Sequence, residues 1–151
     1  MNIDALEALA NTLRERLACE ILVTKVDVAS TAQVGEWLSS TVEHFGAVYG
    51  GANIAGIAGK EFGVRDARDV SDDDFDAVMR INVRGVMVCQ RAQLRHIEAG
   101  GAIVNVASVA GKMGQPKSLS YTASKHAVVG MTRVAASEIS THGVRVNAVA
   151  P

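Results

Sequence analysis

Tyr121 and Lys125 lie four residues apart in the stretch SLSYTASKHAVVG, Ser118–Gly130, which reads as the opening of a helix. On a helix, residues i and i+4 share a face with Cβ atoms about 5–6 Å apart, so a phenol and an ammonium at this spacing address one small site. A free tyrosine titrates near about 10 and is a poor base at neutral pH, but a nearby cation stabilises the phenolate. The pair is therefore a device for moving a proton to or from an alcohol or carbonyl oxygen. Ser108 stands thirteen residues before Tyr121, at the carboxyl end of a predicted strand, where its hydroxyl could hydrogen-bond the same oxygen. Taken alone, Y-x-x-x-K is more often a solvated pair on a helix surface.

The elements that must hold these residues alternate. Ile3, Leu6, Leu9, Ala10, Leu13 and Leu17 fall on one helical face, with Asn2 as its cap. Ile21–Val28 (ILVTKVDV) is apolar and β-branched, which predicts a strand. Ser30 and Gln33 have the spacing of a capping box, in which Ser30 accepts from a first-turn amide and Gln33 reaches back. They open a helix that runs to about Phe45. Ala47–Gly56 predicts a strand running into a glycine-bearing loop, and Ser71–Asp74 (SDDD) predicts a helix start with carboxylates at the positive end of the helix dipole. That helix extends to about Ile97. Ala102–Ser108 predicts a third strand, Tyr121–Ser140 a helix with Gly143 as its C-terminal cap, and Val144–Ala150 a fourth strand. Strands written as continuous apolar runs between helices predict an α/β fold with a parallel sheet buried on both faces. Ligands bind such sheets at the carboxyl ends of the strands, where the Gly51–Gly63 stretch falls.

Composition narrows the function classes. The 151 residues suffice for one domain, and a net charge of -1 gives no electrostatic reason to expect nucleic acid or an anionic membrane as partner. Aromatic residues are 4% of the chain, which weakens a base-stacking reading further. Cys19 and Cys89 form no ligand or disulfide pattern and are expected as two buried free thiols, with no metal site. Nothing apolar is long enough to span a bilayer, and Met1–Ala10, with Asp4 and Glu7, does not read as a secretory leader, so a cytoplasmic location is expected. His44, His96, His126 and His142 show no metal or catalytic spacing and are read as surface residues; Asn105 and Asn147, inside strands, are read as structural.

Five segments then fall in order: NIAG from Asn53, RINVRG from Arg80, NVASVAG from Asn105, YTASK from Tyr121 and GVRVNAVAP from Gly143. In this order and spacing the chain resembles the short-chain dehydrogenase/reductase family over essentially its whole length. The resemblance implies a single Rossmann-type NAD(P)-binding domain over residues 1–151, incomplete, with about four parallel strands and flanking helices. It implies hydride transfer between NADP or NAD, NADP ahead of NAD, and a small-molecule alcohol/carbonyl pair. Tyr121 would be the acid/base, Lys125 would hold the nicotinamide ribose and tune Tyr121, and Ser108 would orient the substrate carbonyl. Asn82 would sit at a helix kink and hold a relay water; its plainer reading is an ordinary helix asparagine. Asp27 would contact the adenine, or else serve as a loop or capping carboxylate. Asn53, Ala55 and Gly56 would support the central strand and pass along the cofactor, with Ile54 where the family has a second Asn. Arg84 could reach a cofactor phosphate, a surface or interface cation being its more ordinary reading.

The family's opening strand and T-G-x-x-x-G-x-G loop, which seats the pyrophosphate on a helix N-terminus, have no counterpart before Ile3. Aligned by the motifs, the family's first two strands and its C-terminal part are missing, and with them the residue that chooses NAD or NADP. Two strands would then be absent between Ile21–Val28 and the next strand. A marginally folded chain is expected, or one rearranged so that those two strands pair directly. The alternative function is an inactive remnant acting as a binding or dimerisation module, since the helices of the family's dimer interface are present and imply a homo-oligomer. A nucleotide-sugar epimerase or dehydratase is the third option; the Ser108–Tyr121 spacing and RVNAVAP favour the reductases.

Overall fold

Asn2 caps the first helix as expected: its side chain accepts from the Ala5 amide at 3.2 Å, and α1 spans Ile3–Leu17. The structure is a computed structural model that describes residues 2–151. After α1 come α2 (Thr31–Phe45), β1 (Val48–Asn53), α3 (Asp72–Met79), a π-helical turn (Arg80–Gly85), α4 (Val86–His96), β2 (Ile97–Val106), a 3-10 turn (Val109–Gly111), α5 (Leu119–Ile139) and β3 (Arg145–Val149). The strands form one parallel sheet in the order β1-β2-β3, with Ala52 opposite Val104 and Ile103 opposite Val146. This is the parallel α/β architecture expected, a partial Rossmann-type sheet, with three strands where about four were expected.

The core lies on one face of the sheet. Ile103 and Val146 pack against Ala135 of α5 with Leu94 of α4 beside them, and Val34 and Leu38 of α2 pack on Val48, Val88 and Cys89. Residues 103, 105 and 107 are buried, whereas 102, 104 and 106 are only partly covered. The expectation of strands buried on both faces is met on the helix side alone, because α4 and α5 both lie against the odd-numbered residues of β2.

Ile21–Val28 is not a strand. The segment is without regular structure and pairs with neither β1 nor any other strand among the described residues. A cavity of about 150 Å³, lined by Val28, Trp37, Ala52 and Ile54 among others, separates it from the free edge of β1. No ladder can form across that gap, so the direct pairing expected from sequence does not occur. The segment instead rests on apolar contacts: Val26 and Val28 pack on the α2–α4 cluster, and the Arg14 guanidinium donates to the Ile21 carbonyl. Between α1 and this segment an open apolar groove of about 340 Å³ remains.

Local signals elsewhere hold with adjustments. Ser30 accepts from the Gln33 amide at 3.4 Å, but the Gln33 side chain accepts from the Asp27 amide at 2.8 Å rather than closing the box on Ser30. Ser71 caps α3 by accepting from the Asp74 amide at 3.3 Å. Gly143, at φ 71°, takes the left-handed conformation expected of a cap. The long helix expected from Ser71 to Ile97 is interrupted by the π turn, and β2 starts at Ile97 rather than Ala102. Cys89 is buried, and burial pushes its thiol up to about 11; Cys19 is exposed, contrary to the expectation of two buried thiols, because it follows α1 in the unladdered segment. Among the described residues no helix is long and apolar enough to cross a membrane.

Candidate active site

The first turns of α5 set the geometry. Lys125 is 5% exposed, and its amine donates to the Val106 carbonyl at 2.7 Å, where β2 ends. Burial holds that amine below the ordinary lysine value. The 3-10 turn presses on the α5 backbone here. A Cβ at Gly111 would stand 2.8 Å from the Lys125 carbonyl oxygen, so only glycine permits this approach. One turn earlier, the Tyr121 ring lies with its centroid 5.5 Å from the Lys125 amine. Its other neighbour is Phe62, whose ring meets it edge-on at 5.4 Å and 76°.

Ser108 follows β2 and begins the 3-10 turn. Its Oγ accepts from the Ala110 amide at 3.3 Å and donates to the Pro151 carbonyl at 3.4 Å, a long bond that leaves the hydroxyl free to exchange partners. The Val109 amide donates to the same carbonyl at 2.7 Å, which fixes the turn.

Asn82 sits inside the π turn and is 0% exposed. A π turn inserts a residue into the helical repeat and marks functional sites often enough to matter. Here it aims an amide at the loop after β1. Asn82 accepts from the Ile57 amide and donates to the Ile57 carbonyl, both at 2.8 Å, and donates to Ser124 Oγ at 2.9 Å. Ser124 in turn donates to the Tyr121 carbonyl at 2.7 Å. Asn82 therefore clamps the β1 loop to α5 within the protein itself. Gly56 completes the arrangement: a Cβ there would lie 3.2 Å from Asn82 Oδ1 and 3.7 Å from the Lys125 amine. Tyr121, Lys125, Asn82 and Gly56 are thus brought together at the carboxyl ends of β1 and β2, with Ser108 on the turn that abuts Lys125.

Asn53 faces the other way. It is 8% exposed, exchanges hydrogen bonds with Gln93 at 2.9 and 3.0 Å, and donates to Asn105 at 2.8 Å. Asn105 continues the ladder to Gln90 at 2.6 Å and Thr132 at 2.9 Å. This buried amide network joins β1, β2, α4 and α5, as the structural reading of Asn105 expected; Asn147, by contrast, is exposed. Ala55 and Gly56 lie on the exposed loop. Asp27 is set in the segment before α2, where it accepts from the Ala29 amide at 3.0 Å and pairs with Arg80 at 2.8 Å. The Arg80 hydrogen bond, then that of Ala29, holds its carboxyl below the usual range. Arg84 donates to the Ala29 carbonyl at 3.1 Å and is exposed. Ser124, Gln90, Gln93 and Thr132 escaped the sequence reading. The one usable signal was Ser124's place three residues after Tyr121, on the same helix face.

The arrangement has relatives. The family model for short chain dehydrogenase matches residues 1–151. A short-chain dehydrogenase/reductase, ABA4, of Pyricularia oryzae is 44% identical over 129 residues, 85% of this chain and 48% of that protein. Among solved structures, NAD+-bound xylitol dehydrogenase superposes with a TM-score of 0.92 at 34% identity, covering 100% of this chain and 57% of that one. A short chain dehydrogenase from Burkholderia cenocepacia in complex with NADP gives a TM-score of 0.86 at 30% identity, covering 98% and 59%. The chain spans about half the length of the curated relatives it matches. With the profile matched from end to end and a tyrosine, a buried lysine and a π-turn asparagine gathered at one sheet edge, this chain belongs to the short-chain dehydrogenase/reductase family.

Proposed function

We propose that the chain carries the proton-transfer half of an NAD(P)-dependent oxidoreductase that interconverts an alcohol and a carbonyl. The observation that supports this most is the buried Lys125 amine 5.5 Å from the Tyr121 ring, a cation set beside a phenol on a helix that faces open solvent at the sheet edge. Tyr121 gives its proton to the substrate oxygen in reduction and takes it back in oxidation. Lys125 stabilises the charge that develops on the phenol oxygen. Ser108 donates to the same substrate oxygen once its long bond to Pro151 is exchanged. Asn82 keeps the loop after β1 and the first turn of α5 in register, so that Tyr121 and Lys125 stay aligned.

The residues fit the ribose and nicotinamide end of the cofactor. Lys125 keeps N–H groups beyond the one given to Val106, and Gly56 leaves the backbone bare next to that amine. Ala55, Gly56 and the main chain after Asn53 would line the cofactor, and Asp27, partly exposed at its salt bridge, would meet the adenine. Bound NAD or NADP supplies or accepts the hydride. Similar structures hold each of the two nucleotides, which supports either as partner.

Titrating the chain with NADPH and then NADH, followed by nicotinamide fluorescence, tests the reading. Micromolar binding supports it, and Tyr121→Phe is then expected to keep that binding while losing turnover by roughly 10²–10⁴-fold. Turnover retained in that variant overturns the assignment. No binding up to millimolar nucleotide leaves the dimerisation module as the better account.

A further inference from the structure

We infer that a single bound water bridges Asp74 of α3 to Ser120 of α5, in a small polar recess beside Tyr121. Glu61, Asp74, Lys117, Ser118, Ser120 and Tyr121 supply the polar part of its wall. The recess has room for about 10 Å³, close to the least that one water needs. Two of these side chains are nearly buried and keep hydrogen-bonding capacity that the protein does not use. Ser120 is 4% exposed, and its hydroxyl has no partner among the described residues. Asp74 is 9% exposed; its Oδ1 accepts from the Lys60 amide at 2.6 Å, and its Oδ2 has no donor among the described residues. A carboxylate accepts at about four positions, so one bond leaves it largely unsatisfied. No side-chain polar atom among the described residues is both sealed from solvent and unpartnered, so the Ser120 hydroxyl and Asp74 Oδ2 each keep contact with space that water can enter. The recess is the space that both residues line.

The local sequence explains why Asp74 is free for this. It stands three residues after Ser71, where an acidic side chain can turn back to the amide of the capping residue. Here Glu61 takes the Ser71 amide, at 2.9 Å, and Asp74 turns to the loop after β1 instead. Gly59, at φ 95°, keeps the carboxylate uncovered, since a Cβ there would stand 2.6 Å from Asp74 Oδ2. The other polar groups of the wall are committed. Ser118 Oγ donates to the Gln115 carbonyl and pairs with Thr122 Oγ1, both at 2.7 Å. Lys117 shares the wall with the two carboxylates, so the lining does not call for a cation. A water donates to the Asp74 carboxylate and bonds the Ser120 hydroxyl in either sense, which satisfies both. The bridge fastens the first turn of α3 to the first turn of α5, one residue before Tyr121. Asn82 and Ser124 hold the same turn from the side of the π turn, so Tyr121 is set between two polar ties, one of them through water.

Oxygen-17 relaxation dispersion of the solvent, which counts long-lived waters in the folded chain, tests the bridge. Ser120→Ala removes one of the two partners, adds no bulk and suits a helix. It should lower the dispersion amplitude by the share of about one water. Asp74→Asn keeps an acceptor for the Lys60 amide and a polar group for the water, and it should leave the amplitude at the wild-type level. An amplitude that Ser120→Ala leaves unchanged overturns the proposal. A sodium ion seated in place of water would raise the thermal midpoint in sodium chloride above that in choline chloride, with the difference lost in Ser120→Ala, and that result overturns it as well. Equal midpoints in the two salts are expected. Neither nucleotide nor turnover enters these measurements, so failure of the water bridge is distinct from failure of the oxidoreductase reading, which nucleotide binding and Tyr121→Phe decide.

Discussion

Ile21–Val28 and Ala102–Ser108 read alike in sequence, and the fold treats them differently. The second becomes most of β2, laddered on both sides, with Ile103 fully buried and Asn105 tied to three other side chains. The first stays irregular and unladdered, resting on α2 and α4 through Val26 and Val28 while Leu22 is 39% exposed. Apolar residues supply adhesion in both. What separates them is directional bonding, because a ladder fixes register and a buried amide network has a single satisfied arrangement. The candidate site is built wholly at the end of the directional region, and of the proposed ligand contacts only Asp27 is in the other.

The largest contrast should appear in native-state hydrogen exchange. Amides of residues 103–106 should open only with global unfolding, whereas those of 21–28, lacking ladder partners, should exchange through local opening several kcal/mol cheaper, on the order of the global stability itself. Strong protection across 21–28 would break the comparison. Next in size is Asn105→Leu. It leaves the Gln90 carbonyl oxygen without its donor and takes one of two partners from Asn53, at about 1–3 kcal/mol for each buried group left short. Thr24→Leu, at an exposed position in the other segment, should stay within about 0.5 kcal/mol. Urea midpoints of the two variants are the check, and equal losses would mean that the amide network adds nothing beyond packing.

Two glycines sharpen the same point on a smaller scale. At Gly111 a Cβ would meet the Lys125 backbone at 2.8 Å, and at Gly85 it would meet a Val28 methyl at the same distance. Backbone inside α5 cannot yield, so Gly111→Ala should cost about 1–3 kcal/mol and displace Lys125. Val28 belongs to the unladdered segment and can move aside, while alanine improves the helical turn by about 0.5–1 kcal/mol, so Gly85→Ala should be close to neutral. Thermal midpoints of the pair measure this.

What was legible in the sequence follows the same division. Caps and the Tyr121–Lys125 register depend on neighbours three or four residues away, and the caps at Asn2, Ser30, Ser71 and Gly143 form as read, except that Gln33 turns to the Asp27 amide instead of closing the box on Ser30. The kink at Asn82 was legible only through resemblance, since nothing local in RINVRG announces a π turn. The fate of Ile21–Val28 was not legible, because strand propensity cannot report whether a partner edge lies within reach. The amide network was half legible. Asn105 in an apolar strand signals a buried partner, but Gln90, Gln93 and Thr132 are ordinary helix residues until the sheet brings them together.

The last effect is the one in which the two regions pull in opposite directions. Burial depresses the Lys125 amine, so between its folded and unfolded values the unfolded chain binds more protons, and stability rises with pH across the alkaline range below the ordinary lysine value. Burial raises the Cys89 thiol to about 11, so there the folded chain binds more protons. The stability owed to Cys89 is present below the ordinary thiol value and is lost as pH climbs toward about 11. Cys89 packs in the α2–α4 cluster that also receives Val26 and Val28, whereas Lys125 belongs to the site. Lys125→Met should therefore leave a curve that only falls through the alkaline range, and Cys89→Ala one that rises. Urea midpoints taken at intervals from neutral pH into that range decide it: slopes of one sign in both variants would show that the amine and the thiol are not held by burial in the way the geometry requires.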